Sequence, residues 1–318
     1  MDSTDRRLSR RNFVGALSAA LAATWVAPAT WITPGARAAA GDSTPLRKPI
    51  PATGETLAVI GLGTSGTFDV TSDEEHLAAL AEVLRAFFDQ GGELIDSSPM
   101  YGAAEEVLGR LLARIDRPAG LFAATKVWID GQAEGVRQME ESRRKWGVPR
   151  FDLMQIHNLR DWRAHLETLR AWQEEGRIRY VGITTSHGRY HQELEAILRE
   201  EPLDFVQLSY NIADRAVEER LLPLAAERGL AVLVNRPFQR GELFQRVQGQ
   251  PLPGWAAEIG CASWGQVFLK FVVSHPAVTC AIPATSKLRH LRDNMGAGVG
   301  SLPDAALRRR MAEHVAAL

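Results

Sequence analysis

Cysteine is almost missing from this chain: Cys261 and Cys280 are the only two in 318 residues. A disulfide scaffold is thereby excluded, and at most one bridge could form. Cys280 lies in an apolar, strand-like run, where a thiol serves as a small buried hydrophobe. Charge of one sign is missing as well, with 37 Lys and Arg against 38 Asp and Glu. No field covers the molecule that would hold nucleic acid, so none is expected as a partner. No metal-ligand spacing and no Ser-His-Asp order can be found. A dinucleotide turn G-x-G-x-x-G opening a helix is absent too. "GLGTSG" (61–66) has the glycine spacing but runs on into "TFDVTSDE" rather than into a helix, which argues against a doubly wound sheet.

Charge is also absent locally, from Phe13 to Gly35. Arg6, Arg7, Arg10 and Arg11 precede that stretch, and the small residues of "GARAAAGD" (35–42) follow it. This is a basic n-region, an apolar h-region and an A-x-A cleavage site ending at Ala38 or Ala40. Ser9, Arg10, Arg11, one free position and Phe13 resemble a twin-arginine signal. Its threonines, prolines and alanines make the apolar stretch mildly hydrophobic, which suits export better than anchoring. The expectation is a signal peptide over 1–40 and one domain over 41–318. The twin-arginine machinery is the expected partner and the periplasm the destination, with an uncleaved membrane anchor as the alternative.

Past Gly41, short apolar runs alternate with amphipathic helical stretches. "TLAVIGLGT" (56–64) reads as a first strand, and "DEEHLAALAEVLRAFFDQGG" (73–92) as a helix with acids at its start and glycines after its end. Further strands are expected in "ELIDSS" (93–98), "LFAATKV" (121–127), "FDLMQIH" (151–157), "RYVGITT" (179–185), "DFVQLSY" (204–210), "AVLVNRPF" (231–238) and "AVTCAIPAT" (277–285). Helical stretches separate them, apart from a longer, less regular insertion at 241–275, and "PDAALRRRMAEHVAAL" (303–318) is appended. Continuous apolar runs between helices indicate parallel strands buried on both faces. Eight strand–helix pairs of this total length make an α/β (β/α)8 TIM barrel with an appended C-terminal helix.

Active residues of such a barrel gather at the C-terminal ends of its strands. Asp96 ends the second strand with Tyr101 on its loop, Lys126 ends the third and His157 the fourth. Taken singly, Asp96 with Lys126 reads as a structural ion pair, Tyr101 as packing and His157 as a core histidine. Together at one mouth they make a set able to protonate a carbonyl oxygen. A phenol titrates near ~10, and a neighbouring ammonium is expected to pull that value down.

"GLGT", Asp96 with the "SSPMYG" that follows it, "TKV" and "MQIHN" at these strand ends resemble the aldo-keto reductase family, from about Thr56 to Asn294. The resemblance implies Asp96, Tyr101, Lys126 and His157 as the catalytic set. It implies hydride from a nicotinamide cofactor, NADPH with NADH as the alternative, and a small carbonyl compound as substrate. Cofactor contacts implied are Asp69 to the nicotinamide ribose, Thr184, Thr185 and Gln207 to the carboxamide, and Asp293 and Asn294 to the adenine. Thr285, Ser286 and Lys287 would meet the 2'-phosphate. Asn235 stands where many members place a stacking tyrosine, Ala284 where a lysine is common and His290 where an arginine is common. Two other functions compete with an exported NADP-dependent reductase: a dinucleotide-bound sensor with little turnover, and a Schiff-base lyase using Lys126 as nucleophile.

Overall fold

A computed structural model of the chain describes residues 44–70 and 73–318. The expected signal over 1–40 lies outside the described residues. Among the described residues, no helix is long and apolar enough to cross a membrane.

Eight parallel strands form the barrel: β1 Leu62–Gly63, β2 Leu94–Asp96, β3 Phe122–Val127, β4 Phe151–Ile156, β5 Ile178–Thr184, β6 Phe205–Ser209, β7 Ala231–Asn235 and β8 Cys280–Ala281. They are paired in chain order. Bridges Ile60–Ala281 and Gly63–Ala284 join the last strand to the first. Closure requires β1 to approach both neighbours closely. A Cβ on Gly61 would meet the Leu94 carbonyl at 2.9 Å, and one on Gly63 the Ile282 carbonyl at 2.8 Å.

The main helices are α1 Glu74–Asp89, α2 Ala104–Arg114, α3 Gln132–Trp146, α4 Trp162–Glu174, α5 His191–Glu200, α6 Leu221–Glu227, α7 Trp264–Val273, α8 Leu288–Gly296 and the appended α9 Ala305–Ala316. Local sequence explains their ends. Asp73 accepts from the Glu75 amide at the start of α1, Ser263 from Gln266 at α7, and Asp304 from Leu307 at α9. On α1, Leu77, Leu80, Ala81, Leu84 and Phe87 repeat at three- and four-residue spacing and make the buried stripe.

Two expectations need refinement. The run 56–64 divides: Thr56–Ala58 pairs antiparallel with Arg47–Pro49, and only Leu62–Gly63 joins the barrel. The irregular insertion contains two short helices, Glu242–Arg246 and Trp255–Glu258, and then α7. Every residue of α7 from Gly265 to Val273 is buried. Gln266 and Lys270, four residues apart, share one of its faces, so a helical period is present in a stretch expected to be irregular.

Alternation along the strands sends every second side chain into the barrel. Leu94, Phe122, Leu153, Tyr180, Phe205 and Leu233 form an apolar cluster there, joined by Ile50 and Leu57 of the hairpin. Further along most of these strands, the inward positions turn polar.

Candidate active site

Those polar positions are Asp96, Lys126, Gln155 and Gln207, each two residues past an apolar inward neighbour. Lys126 has no exposed surface and Asp96 only 2%. The Lys126 ammonium donates to Asp96 Oδ2 at 2.5 Å and to the Ser97 carbonyl at 2.7 Å. The second carboxylate oxygen accepts from Gln155 Nε2 and Gln207 Nε2, both at 2.9 Å. Removing two charges from water is tolerated only when each is paired and hydrogen-bonded, and this pair is. Asn235 extends the network, donating to the Thr185 carbonyl at 2.9 Å and to Gln207 Oε1 at 3.3 Å.

Above the pair sit two rings. Lys126 Nζ lies 5.1 Å from the centre of the Tyr101 ring. Tyr101 and His157 meet edge to face with centroids 5.8 Å apart. His157 Nδ1 is 2.9 Å from Ser98 Oγ. Burial lowers the His157 pKa to about 2, with the Lys126 charge adding to it, so the imidazole is neutral.

Tyr101 differs from the expectation. Burial raises its pKa, and the downward pull of Lys126 does not overcome that. The phenol therefore keeps its proton at neutral pH. For Lys126, burial alone would lower the pKa, but Asp96 and Tyr101 outweigh it and hold the ammonium charged. A Schiff-base nucleophile must be a free amine, so the lyase alternative loses its reagent.

Asp96, Tyr101, His157, Gln207, Asn235 and Asp69 line one cleft of about 710 Å³, ample for a small-molecule site. Asp69 Oδ1 accepts from the Ala103 amide (2.9 Å) just ahead of α2. Thr184 is buried with its hydroxyl accepting from the Asn158 amide at 3.2 Å. The hydroxyls of Thr185 and Thr67 are buried without a partner. At the eighth strand the lining ends at Ala284, one residue short of Thr285. Thr285 Oγ1 accepts from the Lys287 amide (3.1 Å), and Ser286 lies between them. The Asp293 carboxylate is occupied by Ser263 Oγ at 2.7 Å and Gln266 Nε2 at 3.0 Å, and Asn294 beside it is buried. Of the nine expected cofactor contacts, Asp69 and Gln207 thus line the cleft that holds the tyrosine, while Thr184, Thr185, Thr285 to Lys287, Asp293 and Asn294 lie beyond its lining.

Ser98, Gln155, Arg236 and Arg240 are among the cleft or network residues that escaped the sequence. Gln155 interrupts an apolar strand at an inward position, and that is a usable signal. The arginines sit on the loop after β7, whose Arg236, Gln239 and Arg240 have φ of 50°, 49° and 55°. Left-handed backbone costs such residues on the order of 1 kcal/mol each. The Arg236 carbonyl accepts from the Gln239 amide (3.0 Å) and from Asn211 Nδ2 (3.3 Å), which holds the turn. Many arginines elsewhere are paired with acids, as Arg179 is with Asp152 and Glu55. Arg236 and Arg240 line the cleft without an ion pair among the described residues.

The sequence model of the Aldo/keto reductase family matches residues 59–311. Aldo-keto reductase YhdN of Bacillus subtilis (strain 168) is 29% identical over 213 residues, 60% of this chain and 61% of that protein. Aldo-keto reductase str7 of Strobilurus tenacellus is 27% identical over 302 residues, 81% of this chain and 87% of its own. Among solved structures, the thermostable aldo-keto reductase Tm1743, bound to the inhibitor epalrestat, matches with a TM-score of 0.69 and 26% identity. That match covers 85% of this chain and 99% of the other. An aldo/keto reductase from Klebsiella pneumoniae, in complex with NADP and acetate, shares the fold with a TM-score of 0.67 and 24% identity, over 82% and 93% of the two chains.

Proposed function

The chain belongs to the aldo/keto reductase family, and we propose that it reduces aldehyde or ketone carbonyls with NADPH, Tyr101 serving as the acid. One observation carries this reading: Tyr101 and His157 meet edge to face in the cleft directly over the buried Lys126–Asp96 pair.

A dinucleotide held in the cleft would supply the hydride for the carbonyl carbon. The residues present suit such a group. Thr67 offers the cleft a buried hydroxyl without a partner, and Arg236 and Arg240 bring two cations without an ion pair among the described residues for phosphate oxygens. The Klebsiella relative in complex with NADP supports the choice of cofactor. Tyr101 holds its proton until the carbonyl oxygen gains negative charge, then passes it from Oη to that oxygen. The phenolate left behind faces the Lys126 ammonium, which favours it electrostatically. Asp96 keeps that ammonium charged and in place. His157, neutral, donates a hydrogen bond to the same carbonyl oxygen. Trp128, 6.5 Å from the His157 ring, and Met100, half exposed beside Tyr101, give the substrate an apolar surround. The Arg10–Arg11 pair supports a periplasmic setting for this chemistry.

The test is an absorbance assay at the nicotinamide band with NADPH and a panel of aldehydes and ketones. Many turnovers per protein molecule are expected. Tight NADPH binding with at most one hydride spent per chain would instead fit the dinucleotide-bound sensor.

A further inference from the structure

The loop "SSPMYG" (97–102) contains a second serine, Ser98, that the reaction as described does not use. It has no exposed surface. Its hydroxyl oxygen accepts from the Met100 amide at 3.2 Å, a short turn across Pro99, and lies 2.9 Å from His157 Nδ1. The serine touches no other side chain through that oxygen, so its own hydrogen has one place to go.

A serine hydroxyl brings one hydrogen and two lone pairs. One lone pair takes the Met100 amide hydrogen. If His157 Nδ1 carried the imidazole proton, the oxygen would accept twice and its own hydrogen would be buried without an acceptor. Such an orphan is expensive, and a structure with an alternative avoids it. With the serine donating to Nδ1, every group is satisfied and the neutral imidazole must carry its proton on Nε2. No described residue takes a hydrogen bond from that nitrogen, and His157 lines the cleft.

We propose that Ser98 is a positioning residue that locks His157 in the Nε2–H tautomer, so that the ring presents a hydrogen-bond donor to the substrate oxygen beside Tyr101. This deepens the reductase reading and rests on it for its consequence, though not for its geometry. The chain of command is short. The Met100 amide orients the Ser98 oxygen, Ser98 fixes the imidazole, and the imidazole meets the substrate. The Met100 amide sits one residue before Tyr101, so the loop that places the acid also sets the tautomer of its companion.

The tautomer can be read without turnover. In a two-bond proton–nitrogen correlation spectrum of the full chain labelled with 15N-histidine, the signals of His157 are assigned by their loss in His157→Gln. The expected wild-type pattern is a protonated Nε2 with an unprotonated Nδ1. In Ser98→Ala a mixture of tautomers is expected, and in Ser98→Thr, which keeps the hydroxyl, the wild-type pattern. Kinetically, Ser98→Ala is expected to lower kcat/KM for a carbonyl substrate about tenfold, the scale of one lost buried hydrogen bond, while the Kd for NADPH stays unchanged. In a His157→Gln background the same change should cost nothing further. A wild-type Nδ1–H tautomer, or a Ser98→Ala spectrum like that of wild type, would overturn the proposal. So would losses that multiply in the double variant. If Ser98→Ala fails to fold, the spectra of wild type and Ser98→Thr still decide. Wild type inert toward every carbonyl counts against the reductase reading, while the spectrum still judges the serine.

Discussion

The lower and upper halves of the barrel interior use the same strands and opposite chemistry. Below, Phe122, Leu153, Phe205 and Leu233 pack against Ile50 and Leu57 of the hairpin, and the hydroxyl of Tyr180 in the same cluster reaches out to Thr53 and Glu55. Above, two residues on, or four on the strand of Phe122, Lys126, Gln155, Gln207 and Asn235 join Asp96 in a network in which each polar group depends on another. The lower half can lose one side chain and leave only a void. The upper half cannot, because a missing partner strands a charge in a place without water. Stability therefore draws on both halves, whereas the candidate site lies in the upper one alone, and substitutions should separate the two roles.

The largest effect is expected from Lys126→Met. It leaves the Asp96 carboxylate buried without its cation, which costs about 3–5 kcal/mol of stability, and it removes the charge beneath Tyr101. Thermal unfolding and turnover should fall together. Loss of turnover with an unchanged Tm would mean that the pair is no part of what holds the mouth together. Phe205→Ala probes the lower half. A cost of at least about 3 kcal/mol in urea unfolding is expected, with kcat/KM per folded molecule close to wild type. A large kinetic defect in the folded protein would show that the two halves are not separable.

Smaller effects sharpen the division. Arg236→Gln removes one unpaired cation from the mouth and breaks no ion pair. It should weaken NADPH binding about tenfold, the scale of one charge-assisted hydrogen bond, and leave Tm unchanged. The remaining effect is a slope with pH. His157 is held far below its ordinary pKa of 6.5, at about 2. Between those values the unfolded chain binds a proton that the folded chain refuses, so stability falls as pH falls below 6.5. One such group contributes about 1.4 kcal/mol per pH unit. His157→Gln should show a correspondingly shallower loss between pH 6 and 4 in unfolding curves. Equal slopes would mean that the imidazole takes up its proton without unfolding.

Legibility in the sequence follows the same division. The barrel could be read because parallel strands buried on both faces are continuous apolar runs, and because α1 and its fellows keep a helical stripe. Helix α7 was passed over although Gln266 and Lys270 mark one face, because it follows an irregular stretch and is apolar over the rest of its surface. The three-residue strands of the hairpin are too short to show alternation. At the mouth, Asp96, Lys126 and His157 stood out as charged or titratable groups at the ends of apolar strands, and Tyr101 through its place beside them. Arg236 was illegible for the opposite reason: it is one arginine among many, and only a left-handed backbone turn aims it into the cleft. The direction of the Tyr101 shift was equally hidden, because it is a contest between burial and the Lys126 charge, and sequence names the charge without giving the burial.

The central claim is that the mouth does chemistry through the Tyr101 proton. The most direct measurement is kcat/KM for one aldehyde with NADPH in Tyr101→Phe, taken beside Tm and the NADPH Kd of the same preparation. The account predicts a loss of about 10²- to 10⁴-fold with Tm and Kd unchanged. A variant that reduces the aldehyde as fast as wild type would contradict it.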